Sequence, residues 1–317
     1  MANFYKTLNQ TNDIVNTRTL LHEAIPLTGT IVSGAAYTDN NIKNYAHGMF
    51  QSVYDYPYLS SSANHVFDIT AGYSSNSGLS ASANTQNSKK INIYNQMSQV
   101  LMGYDATGSI LQFDEDGDLL AGGNKQKSCF FLNFSRLLVK DEIKKGSFQL
   151  ELGVTNAFST TGAVFGNRII LTDFSGSDGY LVNSPVGEYG ILYATASAGS
   201  NVLQAAAGRQ PVGLLFYQAG VAVISGSVFN EGTAGGILNN AGNSCAMGAT
   251  TSTSGFDFVT GSSLSGAADA IRTRFYNVQF NNTVELNSTV YFCRVNHNEF
   301  NYSSNPTYLS GSKIRVK

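Results

Sequence analysis

Leu214-Leu215-Phe216-Tyr217-Gln218-Ala219-Gly220-Val221-Ala222-Val223-Ile224 is two short apolar runs joined at Ala219-Gly220. Each run is too short for a stable helix, and a glycine turn separates them. The stretch therefore predicts a β-hairpin. It opens sixty residues, Val212 to Ile271, that contain no Lys, Arg, His or Pro and only three acids, Glu231, Asp257 and Asp269. A free surface normally carries Lys and Glu, which keep chains apart. The stretch is also too apolar for a disordered linker. The expectation is a β-rich segment whose exterior meets other protein.

Strand patterns continue on both sides of the hairpin. Cys129-Phe130-Phe131-Leu132-Asn133-Phe134 reads as a strand, and Phe148-Gln149-Leu150-Glu151-Leu152 alternates apolar and polar, which places its apolar side chains on one face. Ile169-Ile170-Leu171, Tyr180-Leu181-Val182 and Ile191-Leu192-Tyr193 follow, with Ser175–Gly179 read as a hairpin loop between the first two. Phe275–Phe280 and Thr289–Cys293 are separated by Asn-rich turns. Lys140–Lys145 reads as a single helical turn closed by Gly146. Many short strands with Gly and Asn turns argue for a mainly β fold. The expected fold is one or more β-sandwich domains with antiparallel strands, an irregular N-terminal region and one clear helix near residues 91–104.

The N-terminal part differs. Asn12–Glu23 is compatible with a short helix capped by Asn12 or Asp13 and closed by Pro26. Asn41–Asp68 is dense in Asn, Tyr, His and Ser and reads as an ordered loop region pinned by aromatics. Ala71–Ser88 reads as a long polar loop. Ile93, Met97, Val100, Leu101 and Tyr104 then recur at helical spacing, with Gly103 or Gly108 as the stop. The organisation expected is a loop-rich arm with one helix over residues 1–127 and a β-sandwich region over 128–317, with a division into two subdomains open.

Composition narrows the function classes. The chain has 317 residues, is 42% hydrophobic and only 13% charged, about half the usual charged share. Net charge is −2, so no basic field exists to hold nucleic acid. No apolar run is long enough to span a bilayer. Cys129, Cys245 and Cys293 form no CxxC pair and are odd in number, which favours free buried thiols over zinc or a disulfide framework. His22, His47, His65 and His297 lack ligand spacing, and no nucleophile elbow, P-loop or dinucleotide glycine pattern occurs. The reading is a non-enzymatic protein without a cofactor.

Two stretches invite a chemical reading. Asp114-Glu115-Asp116-Gly117-Asp118 places carboxylates at alternate positions, as a calcium loop does. Counted from Asp114, however, the positions an EF-hand reserves for Gly and Glu hold Leu119 and Lys125. A turn at Asp116-Gly117 is preferred, with Asp114, Asp116 and Asp118 kept as the candidate calcium ligands. Tyr54-Asp55-Tyr56-Pro57-Tyr58 is an aromatic cluster that suits either a sugar platform or a protein contact, since Tyr supplies large contact area at low entropic cost. The contact reading is preferred.

Three motifs carry a family resemblance. Asn40-Asn41-Ile42-Lys43-Asn44-Tyr45-Ala46-His47-Gly48-Met49-Phe50, continuing through Tyr54-Asp55-Tyr56-Pro57-Tyr58 to His65, resembles virion structural proteins of T4-like contractile-tailed phages of marine cyanobacteria. So does Asn133-Phe134-Ser135-Arg136-Leu137-Leu138-Val139-Lys140-Asp141-Glu142, continuing to Phe148. Glu299-Phe300-Asn301-Tyr302-Ser303-Ser304-Asn305-Pro306-Thr307-Tyr308 resembles segments of tail-associated proteins of such phages. The resemblance implies a virion component, assembled in the bacterial cytoplasm, whose partners are other virion proteins and copies of itself. It implies no catalytic residue; the charge and the apolar runs lead to the expectation of no nucleic-acid and no membrane partner. A tail or baseplate position is expected; the alternatives are a neck, vertex or capsid-decoration protein and, in another class, a receptor- or carbohydrate-binding tip protein that engages a host glycan. Tyr54, Tyr56 and Tyr58, with Phe300, Asn301 and Tyr302, are the expected contact residues.

Overall fold

A computed structural model of the chain describes residues 14–27, 41–77, 85–115, 117, 124–154, 165–199, 202–203, 209–230, 236–239, 267–268, 271–272, 274–291, 293, 309–310 and 313–314. The protein is mainly β, with antiparallel pairing throughout the strand ladders described. Its strands are β1 (Ile14–Leu27), β2 (Ile42–Asn44), β3 (Gln51–Tyr54), β4 (His65–Tyr73), β5 (Ser128–Phe134), β6 (Glu142–Ile143), β7 (Gln149–Gly153), β8 (Arg168–Thr172), β9 (Leu181–Ser184), β10 (Gly187–Ala198), β11 (Gln210–Phe216), β12 (Val221–Ser225) and β13 (Phe275–Tyr291). Among the described residues, one long helix, α1 (Thr85–Leu101), two single turns, α2 (Arg136–Val139) and α3 (Gly176–Gly179), and a 3-10 turn at Gly226–Phe229 accompany them.

The chain forms two compact units, residues 1–20 with 285–317 and residues 21–284. In the first, β14 (Leu309–Ser310) and β15 (Lys313–Ile314) make a small antiparallel hairpin. In the second, the strand order runs β13-β7-β8-β10-β11-β12-β5-β4-β3-β2, with β6 beside β13 and β9 beside β10. The sheet curls until its parts face each other. Phe67 of β4 meets Phe275 of β13 with ring centroids 5.3 Å apart, and Phe134 of β5 meets Phe280 of β13 at 5.2 Å and Phe148 at 5.9 Å. Those strands lie many places apart in the order, so only a folded-over sheet brings them together. The sandwich-like core is thus made from one continuous sheet.

A second core lies on the opposite, outer face. There α1 packs on β4 and β5 through a stripe at helical spacing: Lys90, Ile93, Tyr94, Met97, Ser98 and Leu101. Tyr94 meets Phe113 at 5.5 Å, edge to face, and Phe113 meets Phe131 of β5 at 5.7 Å. The polar members of the stripe find partners: the Tyr94 hydroxyl donates to the Gln126 carbonyl at 2.7 Å, and Ser98 donates to the Leu111 carbonyl. Close approach needs glycine at position 72, where a Cβ would lie 2.6 Å from the Lys90 carbonyl oxygen.

The hairpin at Ala219-Gly220 is present as β11–β12, with Gly220 at φ +67°. Other expectations are corrected. Residues 14–27 form a strand rather than part of a helix over Asn12–Glu23, in keeping with the β-branched run Ile14, Val15, Thr17 and Thr19. The helix begins at Thr85, not near 91, so the expected loop Ala71–Ser88 ends in helix and begins inside β4. It stops at Leu101, where Gly103 at φ +83° turns the chain. The helical turn falls at Arg136–Val139, before Lys140, and Glu142–Ile143 is extended because it pairs with β13. Ser175–Gly179 joins β8 to β9, but these strands do not pair; both pair with β10. The aromatic-rich region Asn41–Asp68 holds β2, β3 and the start of β4. Residues on either side of 127/128 share the sheet, because β4 pairs with β5 from Phe67↔Phe134 to Tyr73↔Ser128.

The charge-poor stretch also reads differently once placed. Its first strands are buried on both faces: Leu214, Leu215, Phe216, Ala222, Val223 and Ile224 have no exposed surface. Burial within the fold accounts for the lack of charge in these strands. Residues 231–235, 240–266 and 269–270 of the stretch lie outside the described residues.

Candidate contact surface

The β3–β4 connection projects residues 55–64 from the end of the sheet. Asp55 ties it shut, accepting from the Asn64 backbone N–H at 2.6 Å and from the Asn64 side-chain amide at 2.8 Å, while the Asp55 N–H donates to the Asn64 carbonyl at 3.1 Å. A turn from Pro57 to Ser60 completes it. The three tyrosines there separate by role. Tyr54 is half-buried, edge-on to His65 at 5.6 Å and 6.4 Å from Tyr58. Burial, and then the neighbouring Tyr45, push its hydroxyl above the usual tyrosine range. Tyr56 and Tyr58 are 53% and 37% exposed, and Leu59 beside them is 85% exposed. Sequence reasoning found the tyrosines but missed Leu59; an apolar side chain directly after Tyr58 was the available signal.

On the outer face of β3 and β4, Ser52, Asp68 and His65 converge. The Ser52 hydroxyl donates to Asp68 Oδ1 at 2.5 Å, and His65 Nε2 lies 2.8 Å from the same oxygen. The order is wrong for a nucleophile. The carboxylate stands between hydroxyl and imidazole, so the imidazole has no access to the serine proton. This is a polar cross-strand tie, with Ser52 and Asp68 directly opposed.

A buried, strongly perturbed acid lies elsewhere. Asp173, just after β8, is fully buried and accepts from the Gly146 N–H at 2.7 Å, the Phe148 N–H at 2.9 Å and the Tyr217 hydroxyl at 3.1 Å. Burial raises its carboxyl to about 6 despite those donors. Nearby, the Lys145 ammonium bridges Glu188 at 2.5 Å and Glu142 at 3.4 Å. These groups join the β6–β7 loop, the end of β8 and the β11–β12 turn, and their donors and acceptors are spent on one another. Their arrangement is that of a structural knot. No sequence motif announced it, since its members come from distant segments.

The acidic stretch resolves in part. Asp114 is buried and ion-paired with Lys125, and the two residues also form a backbone bridge. The ammonium supplies the positive charge that a cation would bring. Gly117 adopts φ +73°. Asp116 and Asp118 lie outside the described residues, as do Phe300, Asn301 and Tyr302. Among the described residues, no three His, Cys, Asp or Glu side chains gather as a metal site, and no helix is long and apolar enough to cross a membrane. Cys129 is a buried thiol whose burial raises it well above the usual range, Cys293 is free and exposed, and Cys245 lies outside the described residues. Comparison with protein-family models, with curated proteins and with solved structures gives no match.

Proposed function

We propose that this chain is a non-enzymatic structural subunit of a contractile-tailed phage virion, seated in the tail or baseplate and acting through protein–protein contacts. The observation that carries the contact role is the tied β3–β4 tip, which presents Tyr56, Tyr58 and Leu59 to solvent on a loop held by Asp55 and Asn64. Rigid exposed aromatics beside an aliphatic side chain are what a protein interface uses, because little side-chain freedom is lost on docking. The motif resemblance supports the virion setting, and it includes these same tyrosines.

The test is to look for the chain in purified particles of the phage that encodes it, by quantitative mass spectrometry and by immunogold labelling. Stoichiometric recovery with label on the tail or baseplate is expected. Absence from purified particles would overturn the reading. Particles carrying Tyr56→Ser with Tyr58→Ser should incorporate the subunit at reduced occupancy.

A further inference from the structure

We infer that the β2–β3 turn, at the other end of β3 from that tip, is a binding site for an acidic saccharide, formed by Tyr45, His47 and Phe50 with the ammonium groups of Lys43 and Lys89. This site shares no residue with the Tyr56–Leu59 tip and does not depend on a tail position.

Three rings cluster at the β2–β3 turn. Tyr45 and His47 stack with centroids 5.1 Å apart and planes only 7° from parallel, and Phe50 lies 4.9 Å from Tyr45 and 5.1 Å from His47. His47 is exposed, and Tyr45 and Phe50 are half-exposed. Such a cluster at a solvent-facing turn gains little from burial.

The turn is nevertheless heavily fixed. The Gly48 N–H donates to the Tyr45 carbonyl at 2.9 Å, and the Met49 N–H donates to His47 Nδ1 at 3.0 Å. The Thr70 hydroxyl of β4 donates to the Met49 carbonyl at 2.6 Å. Lys89 of α1 donates to the His47 carbonyl at 3.1 Å, and the Tyr45 hydroxyl lies 3.2 Å from Ser52 Oγ. Three separate elements thus hold exposed rings in one arrangement, which is the preorganisation that a binding site needs. Because Nδ1 accepts from Met49, the neutral imidazole carries its proton on Nε2, where it is a donor.

The charge around the rings selects the ligand class. The Lys43 ammonium sits 5.0 Å from the Tyr45 ring centroid, and Lys89 reaches the same turn from the helix. Neither ammonium has a carboxylate within salt-bridge distance among the described residues. One ammonium over the Tyr45 ring and a second held on the His47 carbonyl match a ligand with sparse negative charge and apolar C–H faces. A sugar acid has both features: its ring C–H groups lie on aromatic faces, and its carboxylate pairs with ammonium. A polyphosphate backbone needs a longer run of cations than two, and the chain's net charge of −2 provides no field to attract one. The exposed Asn44 side chain, whose oxygen accepts from the buried Gln51 amide at 2.7 Å, stands beside the turn and can meet hydroxyls.

The test measures binding of the full chain to oligogalacturonate by calorimetry, with dextran and a single-stranded DNA oligonucleotide as comparators. Binding of oligogalacturonate is expected to weaken as salt rises, to fall at least tenfold in Lys43→Ala with Lys89→Ala, and to fall similarly in His47→Ala. Lys89→Arg should retain most of the affinity. These side chains are at the surface, and unchanged urea unfolding would confirm that the variants fold. No binding at millimolar oligogalacturonate, binding unaffected by the substitutions, or tighter binding of the DNA or of dextran would overturn the assignment.

Discussion

On β5, β12 and β11 both faces of the sheet are buried, whereas on β7 and β8 only one face is. The register makes the contrast direct. On the outer face, Phe131 opposes Val223, and Val223 opposes Leu214, which opposes Ile191. Two residues further along β10 on the same face, Tyr193 opposes Thr172, and Thr172 opposes Gln149, which opposes Gln279. The same side of one sheet thus passes from Phe, Val and Leu to Thr, Gln and Gln. Where α1 and the segment around Phe113 cover the face it is apolar; where β7, β8 and β13 are left half-exposed it is polar. The composition of a strand reports how many of its faces are covered.

The largest expected effect lies in the covered half. Phe131→Ala removes a buried ring that contacts Phe113 and Tyr94, and should cost about 3–5 kcal/mol in urea unfolding. A loss of under 1 kcal/mol would mean that the outer core is not a core. Next comes the join between the halves at Asp173. Its carboxyl is raised to about 6 in the folded chain from 3.8, so the folded state holds the proton more tightly than the unfolded chain. Stability contributed by this group is fully present below pH 4 and is lost as pH rises through 6, by roughly 3 kcal/mol. Asp173→Asn should flatten that part of the stability–pH curve; an unchanged slope would show that the acid does not titrate there. Gly72→Val, which drives a side chain into the Lys90 carbonyl, should destabilise by roughly 1–3 kcal/mol and loosen α1, read as faster amide exchange in the helix. The smallest effect belongs to the open half: Ile170→Thr should change stability by about 1 kcal/mol or less, since the side chain is only half-buried. A cost equal to that of Phe131→Ala would erase the distinction between the halves.

Much of this contrast was legible in the residues. Phe148-Gln149-Leu150-Glu151-Leu152 alternates because one face of β7 is wet, and Val221–Ile224 does not because neither face of β12 is. What stayed hidden had physical causes. The first turns of α1 carry Asn87, Lys89 and Lys90, so a reading based on apolar spacing starts the helix too late. Lys90 nonetheless occupies the buried stripe, where burial lowers its ammonium to about 8. The charge-poor hairpin resembled an exposed contact surface because low charge alone does not distinguish a covered strand from an uncovered one. Among the candidate contact residues, composition could not separate Tyr54, an anchor against His65, from Tyr56 and Tyr58, which face solvent. The knot at Asp173 and the platform at Tyr45 depend on tertiary meetings across elements, to which local spacing is blind.

The pairing of β7 with β13 has a consequence for how the chain is made. Gln149 and Gln279, opposed in the finished sheet, are separated by 130 residues. At synthesis rates of about 5–20 residues per second, that interval lasts roughly 6–26 s. During it β7 has β8 for a neighbour but no partner on its other side, and the inner faces of Phe67, Phe134 and Phe148 lack the rings of Phe275 and Phe280 that cover them. A nascent chain therefore carries an unpaired strand edge and an open aromatic cluster until Phe275–Phe280 emerges. Chains stalled or truncated before Phe275 should be the ones that aggregate.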